Sequence, residues 1–353
     1  MAKRITIKDV ASAAGVSVAT VSYILNSTPG KTISEQTKQK VLAAAEQLQY
    51  IPNIAAQQLK TNRTKCIAVR LSNTLVLTRY NNTLQGVRER LAASGYSILL
   101  STFDERGSLA GCVDSILRGQ ADGLLYIASQ GIGILPEEMD ILRKHNVPVS
   151  AIDCMGSVPD VSSVTYDYYA SSRDRMDVLL QNGYRKFLYL RPSFANHKEV
   201  AREQGVRSVL MERNDVTLEV RHIQSLGDKW MQRQQAIGKL GTAQNQTDSI
   251  TQGSVFFSDE VKEILKDLPE DVAVVCYARE LQESAAKVLM LQSMAYPADT
   301  RPDWSKRCIS YQFPNFEAGI EAAASLINMI DGDGTAMKKS VHPILDFYTP
   351  DLM

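Results

Sequence analysis

The amino-acid sequence predicts a small all-α helix-turn-helix unit followed by an α/β body with parallel sheets. Three observations carry this. Helical periodicity with capping residues extends to about residue 48, short apolar runs alternate with helix-length segments from Cys66 onward, and 353 residues are too many for one compact core.

In chain order, Thr6 stands at the N-cap of a first helix, with Asp9 in the capping-box position and Ile7, Val10, Ala11 and Ala14 along one stripe. Gly15 ends that helix, because a residue without Cβ readily adopts the left-handed conformation of a C-terminal cap, and Ser17 caps the next. The second helix buries Val21, Ile24 and Leu25 and turns Val18, Ala19, Ser22 and Tyr23 outward. A third, opened by Ser34 and running to about Leu48, faces the first two with Val41, Ala45 and Leu48. Three small helices then share one core. A short helix with a mixed outer face suits the DNA major groove, which admits one α-helix and displays a different edge for each base pair; the same shape is also a common packing unit.

After a polar link at 61–65, strands are predicted at 67–71, 96–100, 123–127, 148–152, 187–190, 254–257 and 272–275, with a last one at 343–348 and a helix over 81–94 ending at Gly95. Apolar runs separated by helices mean parallel sheets covered on both faces, which bind ligands at the carboxyl ends of their strands.

Formal net charge is zero, 39 basic against 39 acidic residues, but it is unevenly spread. Through Lys65 there are nine Lys/Arg and three Asp/Glu, a net of +6 that leaves −6 on the remainder. A basic end on an acidic body is the footprint of phosphate contact by that end. Cys66, Cys112, Cys154, Cys276 and Cys308 are scattered and odd in number, which argues against a disulfide framework or zinc site and for a reducing compartment. No apolar run approaches a membrane span, and Met-Ala-Lys-Arg leads into the first helix without a secretory segment, so a cytoplasmic location is expected. His145, His197, His222 and His342 show no metal-ligand spacing, and no G-x-S-x-G elbow or phosphate-cradling glycine loop appears; neither an enzyme nor a cofactor is expected.

The Asp-Val-Ala (9–11), Ala-Gly-Val-Ser (14–17), Ala-Thr-Val-Ser (19–22) and Tyr-x-Pro-Asn (50–53) blocks, with Ala56, Gln57 and Leu59 after them, resemble the headpiece and hinge of the lactose-repressor (LacI/GalR) family in order and spacing. The resemblance implies that Val18, Ala19 and Tyr23 discriminate bases, and that Thr6, Ser17, Thr20, Ser22, Asn26, Ser34, Asn53, Ala56, Gln57 and Lys60 join them in binding DNA. It implies a hinge helix that forms on operator DNA and drives Leu59 between base steps of the minor groove. Such a wedge kinks the duplex at a cost of a few kcal/mol, offset by new contacts. Gly30 and Lys31 lie in a loop slightly longer than the lactose repressor's.

Further on, Tyr166-Asp167, Gly183-Tyr184-Arg185-Lys186, Arg202 with Gly205, and Pro269-Glu270-Asp271-Val272 are similar to the family's body, two periplasmic-binding-protein-like α/β lobes closing on a small effector. The implied organisation is a headpiece at 1–52, a hinge and linker at 53–65, and an effector-binding and dimerisation body at 66–353. Its first lobe takes about 66–165 and 310–330, its second about 166–308 and 340–353. The effector residues implied are Tyr80, Asp153, Arg202, Trp230 and Asp259. The chain departs from the pattern at Phe257-Ser258-Asp259 and at Cys276-Tyr277-Ala278-Arg279, and 280–307 is longer than the family's segment.

The function implied is a dimeric DNA-binding transcription regulator, a repressor of a pseudo-palindromic operator, modulated by a sugar or sugar phosphate. One short reading helix contacts too few base pairs, and a two-fold dimer doubles them. With no heptad tail after the last strand, a C-terminal tetramerisation bundle is not expected. The alternative is a sugar-binding receptor with a vestigial headpiece, a reading that calls for the secretory segment missing from the start of the chain.

Overall fold

The computed structural model describes residues 5–25, 30, 32–51, 63–71, 78–101, 110–128, 134–154, 160–193, 197–211, 213–224, 253–276, 279–294, 296–297, 299–300, 303–332, 335–341 and 344–346. The chain divides into two compact units, 1–65 and 66–353.

The first unit holds α1 (Ile7–Ala14), α2 (Val18–Leu25) and α3 (Glu35–Gln47). Its local chemistry follows the residues. The Asp9 carboxylate accepts from the Thr6 backbone N–H at 2.7 Å and from its hydroxyl at 2.6 Å, tying down the start of α1. Gly15 takes φ 66°, and the Ser17 and Ser34 hydroxyl oxygens accept from the N–H groups of Thr20 and Thr37. Val10, Ala11, Val21, Ile24, Val41 and Ala44 form the core; Ala45 and Leu48 pack only partly buried beside it.

In the second unit β1 (Cys66–Leu71), α4 (Thr78–Ala93), β2 (Ser97–Ser101), α5 (Ala110–Leu117), β3 (Leu124–Ile127), α6 (Pro136–Lys144) and β4 (Val149–Ile152) alternate as expected, and β5 (Val161–Tyr166), a strand not foreseen, follows β4 with no helix among the described residues between them. Then come α7 (Tyr168–Gln181), β6 (Lys186–Pro192), α8 (His197–Met211), β7 (Thr217–Ile223), α9 (Gly253–Leu265), β8 (Val272–Cys276), α10 (Arg279–Ser293), β9 (Ser310–Gln312), α11 (Asn315–Asp331), β10 (Lys338–Val341) and β11 (Ile344–Asp346).

Among the described residues β10-β5-β4-β3-β1-β2 form a parallel sheet, β7-β6-β8 a second parallel sheet, and β11-β9 an antiparallel pair. Alternation along each strand feeds two cores. Ile67, Val69 and Leu71 of β1 join one cluster with Leu91 and α11, while Ala68 joins another with Ile116 and Leu142. In the second lobe Leu188 and Leu190 face Val261 and Leu281, and Phe187 and Tyr189 face Leu179 and Val206.

Two expectations are corrected, and one further strand was missed. Residues 254–257, read as a strand, lie in α9, whose Val261 and Leu265 are buried four residues apart; a short apolar run cannot by itself distinguish a buried strand from a buried helix. Strand β7 was not foreseen, because it supplies mostly exposed polar residues to its sheet. Finally, β10 pairs with β5 in the first lobe's sheet, so residues 340 and 341 belong there rather than to the second lobe. The long 280–307 segment is filled by most of α10 and a 3-10 turn, Trp304–Lys306, with Leu281, Ala285 and Leu289 buried against the second-lobe core.

Candidate functional site

Two places gather polar chemistry. The first is the outer face of α2, where Val18 is 41% exposed, Ala19 is exposed, and Thr20, Ser22 and Tyr23 are half-buried. Exposed Ser17 and Ser34 stand at helix N-termini, Ser17 sharing a 2.9 Å hydroxyl contact with Thr20, and Thr6 is exposed at the start of α1. A helix anchored by Val21 and Ile24 and carrying small and polar side chains outward can lie in a groove without steric conflict. Asn26, Asn53, Ala56, Gln57, Leu59 and Lys60 lie outside the described residues.

The second place is where carboxyl ends of strands from both lobes meet. The order in which strands are added reverses at β1, with β2 on one side and β3 on the other, and an α/β sheet binds ligands outside the carboxyl ends near such a switch point. Asp153 follows β4 directly, in the left-handed conformation at φ 56°, which an Asp tolerates better than most residues. It is 3% exposed. Its carboxylate accepts from Arg79 at 3.1 Å, from the Tyr168 hydroxyl at 2.9 Å and from the Lys198 ammonium at 2.5 Å. Arg79 opens the helix after β1, Tyr168 the helix after β5, and Lys198 the helix after β6. Arg202, one turn on from Lys198, lays its guanidinium over the Tyr168 ring at 4.1 Å.

Behind this cluster the Tyr189 hydroxyl donates to fully buried Glu199 at 2.7 Å, and Arg191 pairs with Glu199 and Glu203. Burial, and then the Asp153 charge, push the Tyr168 hydroxyl well above the ordinary phenol range. Burial lowers the Lys198 ammonium while Asp153 opposes it, and burial raises Glu199 against its Tyr189 hydrogen bond.

Of the five effector residues read from the sequence, Asp153 and Arg202 come together around Tyr168. Tyr80 is 2% exposed and packs in the first-lobe core, with Arg79 stacked on its ring at 4.8 Å. Asp259 lies inside α9 with its side chain 86% exposed, ion-paired to Lys262 at 3.3 Å, and is not part of the cluster. That placement follows from the helix at α9: without a strand at 254–257, no strand end carries Asp259 toward Asp153 and Arg202. Trp230 lies outside the described residues. Arg79, Tyr168 and Lys198 were not singled out in the sequence. Lys198 alone had a readable signal, its spacing of four from Arg202 on one helix face. Among the described residues no group of three or more His, Cys, Asp and Glu is placed to hold a metal, and no helix is long and apolar enough to cross a membrane.

Residues 6–53 match the family described as "Bacterial regulatory proteins, lacI family". The chain is 29% identical over 211 residues to the HTH-type transcriptional repressor PurR of Mannheimia succiniciproducens, covering 59% of this chain and 61% of that one. It is 34% identical over 190 residues to the HTH-type transcriptional regulator RegA of Clostridium saccharobutylicum, covering 52% and 54%. The chain thus spans little more than half the length of the relatives it matches. In fold it is similar to the lac repressor dimer bound to operator and the anti-inducer ONPF, at TM-score 0.67, 18% identity and 97% and 98% coverage. It is also similar to the transcriptional regulator CelR in its cellobiose complex, at TM-score 0.56, 19% identity and the same coverage.

Proposed function

We propose, from the premise that this chain belongs to the LacI/GalR family of bacterial regulatory proteins, that it is a sequence-specific DNA-binding transcription regulator and acts as a repressor. The single observation that carries the reading is the three-helix unit with α2 anchored on Val21 and Ile24 and presenting Val18 and Ala19 to the outside. Val18 and Ala19 pack against thymine methyls, and the Tyr23 hydroxyl donates to or accepts from a base edge. The net +6 of residues 1–65 supplies attraction to phosphates.

The protein works as a homodimer on a pseudo-palindromic operator, in the cytoplasm. Supporting a second copy, β2 is an edge strand of the first sheet among the described residues and carries exposed Leu99 and Leu100, an unusual pair to leave in water at a sheet edge. Leu59 is the hinge wedge in this reading. The crevice around Asp153 and Arg202 takes a small polar effector, a sugar or sugar phosphate, whose hydroxyls and anionic oxygens match carboxylate and guanidinium partners.

The test is an unbiased oligonucleotide selection with purified protein, expected to return a two-fold symmetric site. Recovery of no preferred sequence, with or without a panel of sugars and sugar phosphates, overturns the reading.

A further inference from the structure

We propose that Lys198 is a latch that holds the two lobes together across the effector crevice, its ammonium occupying the place on Asp153 that an effector's donor group must take. The inference rests on the crevice reading above and deepens it to the regulation of that crevice.

Asp153 belongs to the first lobe, at the end of β4, and Lys198 to the second, on the first turn of the helix after β6. Their ion pair at 2.5 Å therefore joins two separately cored bodies. Both side chains are almost completely enclosed, 6% and 4% exposed, so the pair is neither hydrated nor screened as a surface bridge would be. Arg79 and Tyr168 complete the carboxylate's set of donors at 3.1 and 2.9 Å. A carboxylate that accepts from three of the chain's own donors has its strongest acceptor directions engaged. Ala201, on the same helix as Lys198, packs against the cluster that holds Tyr168.

Opening the lobes separates the pair and rehydrates both groups. Removing Lys198 while the lobes stay shut leaves the Asp153 carboxylate to Arg79 and Tyr168 alone, and removing the Asp153 charge leaves the Lys198 ammonium buried without its counterion. An effector enters by taking Asp153 from Lys198.

Hydrogen exchange read by mass spectrometry on the full chain, without DNA or effector, tests the latch. Lys198→Met is expected to speed exchange about tenfold or more both in peptides at the start of α8 and in peptides around residues 150–154 of the other lobe. Asp153→Asn makes the same contact fail from the opposite side and covers the case in which Lys198→Met does not fold. Lys198→Arg, which keeps the charge, is expected to restore most of the protection. If Lys198→Met speeds exchange within α8 alone, Lys198 serves only its own lobe and the proposal is wrong; unchanged exchange in both lobes overturns it equally. Failure here leaves the oligonucleotide selection untouched, so loss of the latch and loss of the regulator reading are separate results.

Discussion

Gly205→Ala puts the packing behind the crevice to a direct test. Lys198, Arg202 and Gly205 lie at i, i+4 and i+7 on α8, so they share the helix face turned toward α7. A Cβ at Gly205 would overlap the Tyr169 carbonyl oxygen and stand 3.0 Å from the Ser172 Cβ. The first of these is backbone and cannot rotate aside, so the two helices must separate. Over-packing of this kind costs up to about 3 kcal/mol, against which Ala gains up to about 1 kcal/mol of helix propensity. The net expectation is a loss of about 1–2 kcal/mol, or a melting temperature lower by about 2–4 °C. The same separation lifts Arg202 off the Tyr168 ring. Urea unfolding followed by circular dichroism, with a parallel thermal melt, measures it. Gly111→Ala is the matched control, because a Cβ there, in α5, meets nothing within 4 Å; it is expected to be neutral or slightly stabilising. A Gly205→Ala protein as stable as the parent would refute the close-approach argument.

The remaining predictions concern the proposed function. Leu59→Ala is expected to weaken binding to the selected operator on the order of tenfold while leaving non-specific DNA binding nearly unchanged, and equal losses in a gel-shift series would remove the wedge role. Operator affinity is expected to fall steeply and log-linearly with salt, since residues 1–65 carry the net +6; a flat dependence in fluorescence anisotropy titrations would contradict phosphate contact. Arg202→Ala is expected to abolish the thermal shift produced by any effector found in a sugar and sugar-phosphate screen, while DNA binding persists, and an unchanged shift would take Arg202 out of the site.

The three-helix unit was legible because its determinants are local: Thr6 with Asp9, Gly15 in the left-handed conformation, and hydroxyl caps at Ser17 and Ser34 act over three or four residues. So was the alternation of strands and helices, since an apolar run of four to six residues buried on both faces stands out in sequence. The fate of 254–257 was not, because its apolar run satisfies a strand or a helix equally and the choice fell to Val261 and Leu265 docking against the second-lobe core. The crevice was legible in part. Asp153 and Arg202 came through the family pattern, whereas Arg79, Tyr168 and Lys198 have chemistry only in company.

By itself, then, the sequence determined what neighbouring residues settle among themselves: helix caps, the turn at Gly15, the period of each strand and the charge of the amino-terminal end. Only the tertiary structure decided which strand ends meet. The carboxylate of Asp153 draws on residues 74 positions before it and 45 after it, partners that no local spacing pairs. What selects them is long-range: packing the helices onto two parallel sheets brings Arg79, Asp153, Tyr168 and Lys198, each following a strand in the chain, to one place.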